Sequence, residues 1–128
     1  MREIFDLNIL QASLLSMKRA VNKLSQKPEL IMIDGPFAPT GLMNCKTVIK
    51  GDEKIKCISA ASIIAKTYRD FLMIKLSKSF KNYGWERNFG YGTKAHINGL
   101  IKFGITEHHR KSFKPVYNML SKLNLKTQ

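Results

Sequence analysis

Leu7, Leu10, Leu14, Met17, Val21 and Leu24 recur three and four residues apart, the spacing of one face of an α-helix. Asp6 or Asn8 is placed to cap its start. Lys18, Arg19 and Lys23 suit its C-terminal end, and Pro28 stops it. Residues 30–33 are a short unbroken apolar run, the pattern of a strand buried on both faces. Asp34-Gly35-Pro36 ends that strand, and residues 37–44 form a loop broken by Pro39 and Gly41. Residues 47–49 are a second short strand, ended by Gly51-Asp52. A long helix follows over about 58–80. Ile64, Tyr68, Phe71 and Leu72 supply its apolar side; Ser59, Ser62, Lys66 and Arg69 form a polar stripe at i, i+3, i+7, i+10. Residues 82–93 are rich in glycine and aromatics and predict an ordered loop. Thr93 caps a further helix to about residue 103, with Ile97, Leu100 and Ile101 inward and Gly104 at its end. His108-His109-Arg110-Lys111 is a basic loop cluster, and a last helix over about 115–123 leaves a polar tail.

Helices around a few short buried strands make the fold class α/β. The chain of 128 residues suits one domain or part of one. Two short strands are a poor core for helices this apolar, so the expectation is an incomplete domain whose remaining strands lie elsewhere. No apolar run approaches the roughly 20 residues that span a bilayer, and no signal-peptide core follows the first residues. Cys45 and Cys57 lack the Cys-x-x-Cys spacing of zinc and redox motifs. A cytoplasmic protein with reduced thiols and no membrane partner is expected.

Charge then changes the picture. Twenty-two Lys and Arg face nine Asp and Glu, a net +13, and a field of that sign captures polyanions. A lysine-rich solvated surface gives the same count. Among the scarce acids, Asp34 ends one strand and Asp52 the next. If the strands are parallel neighbours, both carboxylates stand at the same end of the sheet, where open α/β sheets bind ligands. Carboxylates set that close repel, and a proton or a cation relieves the repulsion. Oxygen donors with no Cys/His set favour Mg²⁺ or Mn²⁺. The plainer alternative is a turn residue at Asp34 and a helix cap at Asp52.

At these residues the sequence resembles a known family, bacterial ribonuclease HII. Asn8-Ile9-Leu10-Gln11-Ala12 is similar to the family's first helix, Ile33-Asp34-Gly35 to its Val-Asp-Gly strand end, and Lys50-Gly51-Asp52 with 59–66 and Arg69-Asp70 to its most recognisable block. Tyr83-Gly84, residues 90–96 and residues 109–116 complete the series in order. The resemblance implies a ribonuclease H-like fold and metal-dependent cleavage of RNA in RNA–DNA hybrids, 5′ to a ribonucleotide in duplex DNA. It implies four carboxylates around Mg²⁺ or Mn²⁺, of which Asp34 and Asp52 match two as catalytic metal ligands. Tyr91 matches the family tyrosine that packs on the sugar at the RNA–DNA junction. Ser62 and Lys66, one turn apart, suit a phosphate of the DNA strand; a solvated helix face is the alternative. Asp70, although inside a family motif, lies eighteen residues beyond Asp52 and is read as a structural partner for Arg69 or a backbone amide. His96 is read as a packing residue.

The family's leading Asp-Glu-x-Gly-Arg-Gly motif, which supplies the other two carboxylates, does not occur in the sequence. Residues 1–128 are therefore expected to be the C-terminal part of a ribonuclease HII-like domain, inactive alone. They would be monomeric unless a separate chain supplies the N-terminal half. Two alternatives stand beside this: a non-catalytic basic module that binds hybrid or duplex, and the remnant of a broken gene.

Overall fold

A computed structural model describes residues 2–124. Its elements are α1 (Arg2–Asn22), β1 (Ile31–Asp34), β2 (Cys45–Val48), α2 (Gly51–Lys54), α3 (Lys56–Ser79), a 3₁₀ turn (Lys81–Tyr83), α4 (Trp85–Asn88), α5 (Lys94–Phe103) and α6 (Lys114–Asn124). The polar tail expected after the last helix falls on 125–128, outside the described residues. The fold is mixed α/β and mostly helical, with one two-stranded parallel sheet. The described residues form two compact units, Arg2–Lys66 and the stretch from Thr67 onward.

In the first unit, α1 breaks at Asn8, which holds φ 68° and ψ 168°. Its Oδ1 accepts the Gln11 N–H at 3.1 Å, the bond of an N-cap three residues ahead of the donor. The amphipathic helix thus starts after Asn8, one of the two caps its pattern offers. Arg19 reaches back across the break to Glu3, with N–O distances of 2.6 and 2.9 Å. That fork holds the Glu3 carboxyl below its ordinary range. Lys18 donates to the Thr40 carbonyl at 2.8 Å and ties the loop before β2 to α1.

β1 and β2 pair in parallel, Ile31 opposite Cys45 and Asp34 opposite Val48. β2 begins two residues earlier than its apolar pattern predicts and ends before Ile49. The Ile31 N–H bonds the Asn44 carbonyl at 2.9 Å, so the ladder recruits Cys45 and Lys46 whatever their polarity. Lys50 then turns left-handed (φ 54°, ψ 48°) and starts α2, which the sequence did not predict. Leu14, Ile33 and Ile58 are the buried apolar residues here.

α3 leaves its apolar side uncovered: Ile63 and Ile64 are 63% and 71% exposed, and Tyr68, Phe71 and Leu72 are also exposed. Two four-residue strands cannot cover a 24-residue helix.

The second unit packs around Tyr83, Trp85, Leu100 and Val116, with Met73, Phe80, Ile97 and Leu120 against them. α5 forms as its caps predict. Thr93 Oγ1 accepts the His96 N–H, and Gly104 (φ 77°) ends the helix with its N–H on Leu100. The stretch predicted as a loop contains the 3₁₀ turn and α4, with Trp85 buried at the start of α4.

Candidate active site

In the first unit the parallel register sets Asp34 at the C-terminal end of β1. The next amide, Gly35 N–H, closes the ladder on Val48 O at 2.9 Å. The chain then turns through Lys50, and Gly51 N–H donates to Asp34 Oδ1 at 2.7 Å. This short charge-assisted bond binds one strand end to the start of α2. Asp52 is the next residue. The two carboxylates are thus brought to one end of the sheet, and both are exposed. Asp52 makes no hydrogen bond or ion pair among the described residues, whereas Glu53 faces Lys50 at 3.5 Å.

Gly51 is the residue that sequence reasoning undervalued. It was read as a turn glycine, but a Cβ there would lie 2.6 Å from Ile58 Cδ1 and 3.4 Å from both Asp34 Oδ1 and Val48 Cβ. Glycine is present because α3, β2 and the Asp34 carboxylate converge on its α-carbon. The signal available in the sequence was Lys-Gly-Asp following a strand.

Asp34 Oδ1 already accepts one bond, leaving its other lone pairs and both Asp52 oxygens for a ligand. These hard oxygen donors fit a hard divalent cation. In number they fall short of a full shell, and no group of three or more His, Cys, Asp or Glu gathers among the described residues. Ser62 and Lys66 lie on α3 in the same unit, four residues apart and exposed.

Tyr91 belongs to the second unit. Its ring is exposed, and the Arg69 guanidinium sits over it, 5.0 Å from the centroid. Arg69 therefore leaves the polar stripe of α3 and, at 3.9 Å from Asp70, also faces the carboxylate expected as its partner. Beside Tyr91 opens a cleft of about 490 Å³ lined in part by Arg69, His108, Arg110 and Phe113. Its inner wall contains His96 and His109. His109, read from sequence as one of a basic loop cluster, is buried. Burial first, then repulsion from His96, pushes its imidazole down to about 4. His96 Nε2 is 3.1 Å from His109 Nε2 and 3.2 Å from Trp85 Nε1, and His96 Nδ1 is 2.9 Å from the Tyr91 carbonyl. This network was not visible in the sequence, because its partners are up to thirteen residues apart.

A two-stranded parallel sheet on a mostly helical frame, with Asp34 at the end of β1 and Asp52 in the short helix α2 that follows β2, makes this a mixed α/β protein consistent with a partial ribonuclease H-like fold. The family model for ribonuclease HII matches residues 1–116. The Ribonuclease HII of Pelagibacter ubique (strain HTCC1062) is 57% identical over 121 residues, covering 93% of this chain and 64% of that protein. Those of Ruegeria pomeroyi and Macrococcus caseolyticus are 52% and 49% identical, each over 92% of this chain and over 51% and 44% of their own lengths. The chain belongs to the ribonuclease HII family. It spans between 44% and 64% of the length of these three relatives. Among the described residues no helix is long and apolar enough to cross a membrane.

Proposed function

We propose that this chain is the C-terminal part of a ribonuclease HII-type endonuclease acting on RNA–DNA hybrids and on duplexes that contain ribonucleotides. The observation that carries the reading is the Asp34–Gly51 clamp, which sets two exposed carboxylates at one end of a parallel sheet. Asp34 and Asp52 would hold Mg²⁺ or Mn²⁺. A divalent cation bound there supplies charge stabilisation at the scissile phosphate and an activated water. The Gly51 amide fixes one Asp34 oxygen and so aims the other outward. Tyr91 offers an exposed ring, steadied by Arg69, to a sugar at the RNA–DNA junction. Ser62 and Lys66 contact a phosphate of the DNA strand, and the net +13 draws the duplex in. With two of the four family carboxylates in its sequence, the chain alone binds substrate without cutting it.

A second reading rests on the +13 charge and the exposed Ser62 and Lys66: a non-catalytic module that binds hybrid or duplex. Titration of the chain with Mn²⁺, followed by water-proton relaxation, separates the two. The nuclease reading expects uptake that Asp34→Asn and Asp52→Asn each weaken at least tenfold. The module reading expects salt-sensitive duplex binding, no uptake of Mn²⁺, and indifference to either substitution.

A further inference from the structure

Arg69, His108 and Arg110 line the cleft beside Tyr91. Two of them already face other groups. Arg69 stands 3.9 Å from Asp70 and lies over the Tyr91 ring, 5.0 Å from its centroid. His108 stands 3.8 Å from Glu107 and meets the Phe80 ring edge-on, 5.0 Å between centroids. The Arg110 side chain is exposed and makes no hydrogen bond or ion pair among the described residues. Its backbone is nonetheless held in place. The Phe113 N–H closes a turn on the Arg110 carbonyl at 3.0 Å. His109, the preceding residue, is 7% exposed and lies 3.1 Å from His96, Nε2 to Nε2. His96 donates its Nδ1–H to the Tyr91 carbonyl at 2.9 Å. Two side-chain hydrogen bonds thus join the backbone beside Arg110 to that of Tyr91, and set a guanidinium and an exposed ring on one cleft.

The cleft is chemically mixed. Trp85, Leu100 and Val116, each 1% exposed, make its deepest lining apolar. A bare ion placed there loses its water and gains no partner. A sugar–phosphate brings a carbon-rich face and a charged edge together, and a sugar lying on Tyr91 carries a phosphate on either side. The planar fork of an arginine matches phosphate oxygens. We propose that the cleft holds one backbone phosphate of the substrate, bound by the Arg110 guanidinium, next to the sugar that lies on Tyr91. The inference rests on the reading of Tyr91 as a substrate contact. The His96–His109 bridge fixes the spacing between the two contacts, and the cleft at about 490 Å³ has room for the unit.

The test is fluorescence anisotropy of the 128-residue chain with a labelled duplex bearing one ribonucleotide. Phosphates around the ribonucleotide are replaced one at a time by uncharged methylphosphonates. The parent should lose about tenfold in affinity at one position, the loss of one charge-assisted contact, and much less at the others. Arg110→Gln should weaken binding of the unmodified duplex by a similar factor and lower the slope of log affinity against log salt by about one. It should lose nothing further at the singled-out position, because both partners of one contact are then gone. Lys111→Gln removes the same charge from an exposed neighbour that does not line the cleft. It should keep the full methylphosphonate loss and change affinity by less than about twofold, as a screened surface charge does. Parent-like binding by Arg110→Gln would overturn the proposal. So would equal losses for Arg110→Gln and Lys111→Gln with no phosphate singled out, the sign of a diffuse field. The two readings fail differently. Parent-like binding by Tyr91→Ala removes the sugar contact, while Arg110→Gln coupled to one phosphate keeps the phosphate site. Weakened binding by Tyr91→Ala with no phosphate coupled to Arg110 keeps the sugar contact and sinks the site.

Discussion

Gly51→Ala tests whether the strand end is held as tightly as the contacts imply. The added methyl would stand 2.6 Å from Ile58 Cδ1 and 3.4 Å from Val48 Cβ and Asp34 Oδ1. Ile58 is 6% exposed, so its side chain has little room to retreat. Overpacking of this kind costs about 1–3 kcal/mol. Alanine in place of glycine in α2 returns at most about 1 kcal/mol of helix propensity. The net expectation is a loss of about 1–2 kcal/mol. The assay is urea unfolding of a fusion of this chain with the family's Asp-Glu-x-Gly-Arg-Gly segment. With a slope near 2 kcal/mol/M, the midpoint falls by about 0.5–1 M. Mn²⁺ affinity falls with it, because the Gly51 N–H that aims Asp34 is displaced. Gly92→Ala is the control: a Cβ there meets nothing within 4 Å, and the midpoint stays put. An unchanged midpoint and unchanged Mn²⁺ affinity for Gly51→Ala would refute the reasoning.

Other expectations follow from the same contacts. Asp34→Asn keeps an oxygen for the Gly51 N–H, so stability holds while Mn²⁺ binding is lost. Asp34→Ala orphans that amide and costs about 1–3 kcal/mol more; equal urea midpoints for the two variants would contradict the clamp. His109 binds its proton near 6.5 when unfolded and near 4 when folded. The unfolded chain therefore holds the extra proton between those values. Its contribution is complete above about pH 6.5 and is lost as pH falls towards 4, up to about 3 kcal/mol in all. Urea midpoints of parent and His109→Gln across that range isolate the effect, and a parent that gains stability relative to the variant in acid would contradict it. The exposed Ile63, Ile64, Tyr68 and Phe71 predict that the 128-residue chain binds a hydrophobic dye and melts broadly; a sharp cooperative transition without dye binding would contradict that.

What could be read from the sequence was whatever local chemistry decides. Asn8, Thr93 and Gly104 were legible as caps because a cap needs only its own side chain or φ. β1 was legible because four apolar residues between turn signals have few alternatives. The boundaries of β2 were not, because its register comes from Ile31 and Asn44 on the other side of the ladder. Periodicity marked the apolar face of α3 correctly but carries no information about what covers it. His109 looked like one more member of a basic loop cluster, since composition counts a histidine without its partners. Its burial depends on Trp85 and His96, which only the folded chain brings together. The parallel pairing that sets Asp34 beside the Lys50–Asp52 turn was a condition of the sequence argument, and the sheet meets it.

The most direct test is cleavage of an end-labelled DNA duplex carrying a single ribonucleotide, in Mn²⁺. The 128-residue chain alone should leave the duplex intact. Joined to the family's Asp-Glu-x-Gly-Arg-Gly segment, it should cut 5′ to the ribonucleotide, and Asp34→Asn or Asp52→Asn should each abolish the cut. Cutting by the 128-residue chain alone that Asp34→Asn removes, or full activity of the joined Asp52→Asn variant, would contradict the assignment of Asp34 and Asp52 as half of a four-carboxylate site.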